Sequence, residues 1–182
     1  MITALLIVDL QNDFCPGGAL PTPQGNIIIP VINQLIDKFD FVIASRDWHP
    51  PGSVHFNNWP VHCVKDSHGA DFPADLRSEK IIQIFEKGTR SKDDGYSAFE
   101  ATNKNLAEYL KENGVDELYI CGLTAEYCVK STVLDTVKQG FKTFVIKDAT
   151  EGLRENKDDF DNAFEEMENA GAAIITSDEI IG

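Results

Sequence analysis

At 182 residues, with 42% hydrophobic and 25% charged side chains, the chain has the length and composition of one globular domain, 1–182, able to bury a sizeable core. A formal net charge of −14 excludes the basic patches that hold nucleic acid or an anionic membrane surface, so no nucleic-acid or membrane partner is expected. Much of that acidity lies within 151–168 and reads as the solvated face of a late helix.

The first predicted element is a buried strand over 4–8. The segment around it has no basic region and no small-residue cleavage site, and its short apolar run ends on Asp9. With nothing that marks the chain as secreted, its four cysteines are expected to be free thiols in a cytoplasmic compartment. A helix over 27–39 and a strand over 41–45 follow. Residues 46–80 then break the rhythm: the stretch is rich in Pro, His, Trp, Asn and Asp, and it carries all four histidines. A loop that long is usually functional. Beyond it the patterning predicts strands over 81–85, 118–121, 143–146 and 173–175, and helices over 105–113, 126–139 and 157–170. The strands are short and rich in Ile, Val, Leu and Phe, as in a parallel sheet covered on both faces. Gly114, Gly140 and Gly171 each sit between a helix and the next strand, where a left-handed cap is needed. The fold class is therefore α/β, with no internal repeat, low-complexity tract or linker.

Ligands of an open parallel sheet bind beyond the carboxyl ends of its strands. Here those ends run into Asp9, into Arg46-Asp47-Trp48-His49, into Glu86-Lys87 and into Gly122-Leu123-Thr124-Ala125-Glu126-Tyr127-Cys128. Cys128 falls in the first turn of a helix, where the dipole and free N–H groups favour a thiolate and could bind an oxyanion. The blander reading is a small buried hydrophobe. Asp9, at the end of a buried strand, is placed for proton transfer by a carboxyl of raised pKa, or alternatively for capping a loop. Lys87 could pair with Asp9 and lower the thiol pKa, although alone it reads as a surface lysine. Asp47 and His49 lie two apart, with His55 and His62 further along the same loop. One carboxylate with two or three imidazoles suits a divalent metal ion such as Zn, Fe or Mn, and the donors do not choose among these. His68 is left out of that set, and Cys15, Cys63 and Cys121 read as packing residues.

Several motifs carry a resemblance: Asp9-Leu10-Gln11-Asn12-Asp13-Phe14 with Pro16-Gly17-Gly18-Ala19-Leu20, Arg46-Asp47-Trp48-His49-Pro50-Pro51, and Trp59-Pro60-Val61-His62-Cys63-Val64. Lys87-Gly88, Gly95-Tyr96-Ser97-Ala98-Phe99, the segment from Gly122 to Val129, and Asp148-Ala149 follow in the same order. Over nearly the whole chain these resemble nicotinamidases of the isochorismatase-like cysteine hydrolase superfamily. The resemblance implies a three-layer α/β/α fold with a mostly parallel central sheet of about six strands. It implies an Asp9–Lys87–Cys128 triad and metal ligation by Asp47, His49 and His62, with His55 a ligand in some members. By the same resemblance Phe14, Trp59, Tyr96 and Tyr127 line a pyridine pocket, and the Leu123–Thr124 bond is cis, turning the Thr124 N–H toward an oxyanion hole shared with that of Cys128. It further implies hydrolysis of nicotinamide, and of pyrazinamide, through a cysteine thioester in NAD salvage. Members are often homo-oligomers, though no exposed apolar stripe here reads as an interface.

One departure stands out. Many members read Gly-Leu-Ala-Thr-Asp-Tyr-Cys, whereas this chain has Thr124 at the oxyanion position, a larger side chain that could narrow the pocket. Rival readings are an isochorismatase, an amidohydrolase of N-carbamoyl or ureido substrates, and a non-catalytic metal or thiol sensor. A sensor would need neither Asp9 nor Lys87 at strand ends.

Overall fold

The computed structural model describes residues 1–182. Six strands form its centre: β1 (Ile2–Val8), β2 (Phe41–Asp47), β3 (Gln83–Lys87), β4 (Val115–Leu123), β5 (Lys142–Glu151) and β6 (Ala173–Ile175). They pair in the order β3-β2-β1-β4-β5-β6, and every pairing is parallel. The expectation of a mostly parallel sheet is thus met by a wholly parallel one.

The apolar run of β1 shows why. Ala4, Leu6 and Val8 enter one core, Leu5 and Ile7 enter the other, and all five are fully buried. A strand covered on both faces has no solvent side on which polar residues could alternate. The first core is closed by α2 (Leu106–Glu112), α3 (Lys130–Lys138) and α4 (Asp159–Ala170), through Leu110, Val133, Phe164 and Met167. The second is closed by α1 (Ile29–Leu35) and α5 (Asp178–Ile181), through Ile32, Leu35 and Ile180. The result is the expected α/β/α sandwich. No helix is long and apolar enough to cross a membrane.

Element edges differ from the sequence reading for physical reasons. The helix expected over 27–39 is α-helical only over Ile29–Leu35, with 3-10 turns over Gly25–Ile28 and Ile36–Lys38. The helix expected from 126 opens as a π-type turn over Ala125–Val129 before α3. β4 starts at Val115 because it pairs with Ile2, and β5 runs on to Glu151 because Thr150 and Glu151 pair with Gly122 and Leu123. β3 starts and ends two residues later than expected, on Lys87. The four-residue α5 is too short to show a period and was not expected. Gly114, Gly140 and Gly171 do take left-handed backbones, at φ +63°, +85° and +117°.

β1 lies where the chain order reverses, with β2 and β3 on one side and β4 to β6 on the other. The crevice at such a switch point receives the residues that follow β1 and β4. Those residues are Asp9 and Cys128.

Candidate active site and metal centre

Three strand ends place one ionic cluster. Asp9 follows β1, and its N–H donates to the Ser45 carbonyl at 3.1 Å. Its Oδ1 accepts from the Ser45 hydroxyl at 2.8 Å. Lys87, the last residue of β3, is fully buried. Its Nζ lies 2.7 Å from Asp9 Oδ2, a close ion pair set off the hydrogen-bond direction, and it donates to Asp47 Oδ1 at 2.6 Å. The same Nζ donates to the Gly95 carbonyl at 2.5 Å and lies 3.5 Å from Cys128 Sγ. The structure therefore brings Asp9, Lys87 and Cys128 together, with Asp47 on the far side of the ammonium. A lone buried ammonium costs several kcal/mol, and two carboxylates offset that cost here.

This arrangement sets the charge states. Burial opposes the charge of Lys87, but Asp47 and Asp9 prevail and hold its pKa well above the ordinary value. Burial also opposes ionisation of Asp47, yet Lys87, His49 and His62 hold its carboxyl well below the usual range. For Asp9 burial wins: with Asp47 adding repulsion, its carboxyl is raised despite Lys87. Burial likewise pushes the Cys128 thiol well above its ordinary value, Lys87 pulling it down and Asp9 and Asp47 pushing it further up. Burial and the two carboxylates thus oppose the thiolate character that a helix N-terminus favours, and Cys128 stands beside a carboxyl whose own pKa is raised.

The long loop supplies a second cluster next to the first. His49 Nδ1 lies 2.9 Å from the Gly88 carbonyl and His62 Nδ1 lies 2.6 Å from the Pro60 carbonyl. A carbonyl only accepts, so both Nδ1 atoms carry the proton, which leaves Nε2 as the ligating atom of each ring. His55 Nδ1 is engaged in the same way by Asp93 Oδ1, at 2.9 Å. One ligand atom from each of the three rings lies within 4.8 Å of the others. Asp47 Oδ2 stands 3.4 Å from His49 Nε2 and 3.7 Å from His62 Nε2, and His49 Nε2 is buried with no hydrogen-bond partner. Ring nitrogens that converge on a carboxylate are a donor set that suits a cation. Asp47, His49, His55 and His62 thus fit a divalent metal ion. His68 lies apart, its Nε2 3.5 Å from Asn12 Nδ2.

Between the clusters opens a cavity of about 460 Å³, its open mouth included, reached by Cys128, Asp47, His55 and His62. Phe14, Trp59, Tyr96 and Tyr127 line it. Trp59 packs edge-on against Tyr127 at 5.1 Å, and its Nε1 donates to the Tyr96 hydroxyl at 3.0 Å. The Leu123–Thr124 peptide is cis, and the Thr124 carbonyl accepts from the N–H groups of Tyr127 and Val129, both at 3.1 Å.

Residues 3–179 match the model of the isochorismatase domain. The chain belongs to the isochorismatase family. Among curated members of that family, the nicotinamidase of Escherichia coli strain K12 is 40% identical, the match covering 95% of this chain and 94% of the relative. Among solved structures, the pyrazinamidase of Pyrococcus horikoshii in complex with zinc is 42% identical with a TM-score of 0.87, covering 97% of this chain and 99% of that one. PnC1 from L. infantum in complex with nicotinate is 31% identical with a TM-score of 0.90, covering 97% and 93%.

Within this isochorismatase-family chain, several site residues escaped the sequence reading. Gln11, fully buried, accepts from the Asp47 N–H at 2.8 Å and donates to the carbonyls of Asp47 and Ala70 at 2.8 and 2.9 Å, so it aims the candidate ligand Asp47. Ser45 orients Asp9. Asp93 collects His55, the Tyr96 hydroxyl at 3.1 Å and the Asn58 amide at 2.7 Å. Leu20 and Leu153 complete the apolar wall. Only Gln11 had a sequence signal, as a polar residue just past a buried strand. Asp148 stands elsewhere, accepting from the Ser177 N–H and hydroxyl at 2.8 and 2.5 Å. Cys15, Cys63 and Cys121 are free and buried, and burial raises the Cys15 thiol to about 11.

Proposed function

We propose that this chain is a nicotinamidase: a metal-assisted cysteine amidohydrolase that converts nicotinamide to nicotinate and ammonia, and accepts pyrazinamide. The observation that carries the reading is that Cys128 lines one aromatic-walled cavity with Asp47, His55 and His62, while Lys87 ties Cys128 to Asp9 behind it and His49 stands beside the other two imidazoles. A zinc, iron or manganese ion held by those donors would supply a Lewis-acidic anchor for the lone pair of a ring nitrogen.

The protein's own residues do the rest. Phe14, Trp59, Tyr96 and Tyr127 sandwich a flat heteroaromatic ring and present its carboxamide to Cys128. Asp9, its carboxyl raised by burial, takes the Cys128 proton as the sulfur attacks the amide carbon. The N–H groups of Thr124 and Cys128 stabilise the developing oxyanion. Lys87 keeps Asp9 in place and balances negative charge as it builds. Asp9 then delivers its proton to the departing amine, releasing ammonia and leaving a thioester on Cys128. With Asp9 again as base, water cleaves that thioester to nicotinate and restores the thiol. An N-carbamoyl or ureido substrate would leave the aromatic walls without a ring to stack on, which favours the pyridine amide. The reaction would feed NAD salvage from the cytoplasm, in a domain spanning 1–182 and in an enzyme that could assemble as a homo-oligomer.

The test is Cys128→Ala. Turnover should fall below about one per cent of wild type while the circular dichroism spectrum stays native, because removing a nucleophile typically costs several orders of magnitude. Residual activity above that level would rule out the covalent route.

A further inference from the structure

Glu126 lies two residues before Cys128, and the chemistry above gives it no task. Its carboxylate reaches across to the loop that leaves β5. Oε1 accepts from the Leu153 N–H at 3.1 Å and Oε2 from the Arg154 N–H at 2.7 Å. A Cβ at Gly152 would overlap this carboxylate, so only glycine lets the loop backbone pass so close. Arg154 holds a left-handed backbone at φ +53°. Its side chain is tied down as well, donating to Glu151 at 3.0 and 3.3 Å and stacking 3.7 Å over the Phe160 ring. Between these anchors stands Leu153, the part of the loop that lines the cavity, together with Thr124, Tyr127 and Cys128.

We propose that Glu126 is a positioning residue: it clamps the 152–154 loop so that Leu153 forms an apolar wall of the cavity, and this wall sets the size of the aromatic amide admitted. The inference deepens the nicotinamidase reading and rests on it. The nucleophile turn and the wall that faces it are joined through one side chain. Widening the pocket therefore means breaking two charge-assisted hydrogen bonds, each of them stronger than a neutral one. A well-packed apolar wall discriminates against additional methylene groups by one to two orders of magnitude, which suits it to reject ring-substituted amides.

The test combines hydrogen exchange with substrate discrimination. In Glu126→Ala the amides of 152–154 should exchange roughly tenfold faster than in wild type, while those of β1 and β4 stay protected. Glu126→Gln, whose amide oxygen keeps one acceptor, should fall between the two. Both Glu126→Ala and Leu153→Ala should raise KM for nicotinamide more than they lower kcat. They should also cut the preference for nicotinamide over a ring-ethylated nicotinamide by roughly tenfold. A Glu126 that merely stabilised the fold would lower the melting temperature and leave that preference alone. Leu153→Ala, which keeps the backbone N–H that Glu126 holds and leaves the nucleophile turn unaltered, keeps the test open if Glu126→Ala fails to fold. Unchanged exchange at 152–154 in a folded Glu126→Ala would overturn the clamp, and an unchanged preference in Leu153→Ala would overturn the wall. Exchange needs no substrate, so failure of the clamp and failure of the nicotinamidase reading are separate results. A wild type that leaves nicotinamide intact would defeat that reading, and the wall's role with it.

Discussion

Lys87 is the residue on which the two halves of the site meet. One fully buried ammonium pairs with both Asp9, which faces the thiol, and Asp47, which faces the imidazoles. Lys87→Ala would leave two carboxylates in the same dry cleft without a cation. Breaking a buried ion pair in this way costs about 3–5 kcal/mol, so urea unfolding of the variant should show a loss of that size. The raised Asp9 carboxyl makes a second prediction. As a base Asp9 works only when ionised, so kcat/KM should fall as pH drops through a pKa above the ordinary carboxylate value of 3.8. A pH–rate profile reads this directly, and an acid limb at or below the ordinary value would contradict the environment described for Asp9. In the sequence, Asp9, Lys87 and Cys128 were legible because each lies at or just past a strand end. Ser45 and Asp93 were not, and Gln11 showed only as a polar residue past a strand, because what each does is set by a partner 36 to 38 positions away. The full environment of the thiol was hidden for a related reason. A helix start raises thiolate character locally, but burial and two carboxylates supplied by other strands outweigh it here.

Elements carry these residues, and the turns after the strands do the aiming. Gly88, just past β3, has φ +64°, and a Cβ there would overlap the His49 imidazole. Its carbonyl receives the Nδ1 proton of that same ring. Gly88→Ala should therefore rotate or displace His49 and cost roughly ten- to a hundredfold in metal affinity, with secondary structure retained. Metal titration of the chelated protein measures this, and unchanged affinity would remove His49 from the ligand set. The existence and type of most elements followed from apolar runs and glycine punctuation, since both record burial on the two faces of a sheet. Their edges did not follow. β4 and β5 extend because neighbouring strands offer ladder partners, and the π-type turn before α3 arises at a junction that no periodicity marks.

At the scale of the whole molecule, the strand order β3-β2-β1-β4-β5-β6 puts its reversal beside β1. That topology makes one crevice out of strand ends that lie far apart along the chain. The 46–80 loop then closes over it with His55, Trp59 and His62. A net charge of −14 gives a neutral amide no electrostatic steering, so recognition falls to the aromatic walls and the donor cluster. Nucleophile and donors share this cavity, and hydrolysis should therefore depend on both. The most direct test follows ammonia release from nicotinamide by the purified protein, before and after chelation. Release that is lost on chelation and restored by zinc, iron or manganese is the predicted result. No release from nicotinamide with any of these metals would contradict it.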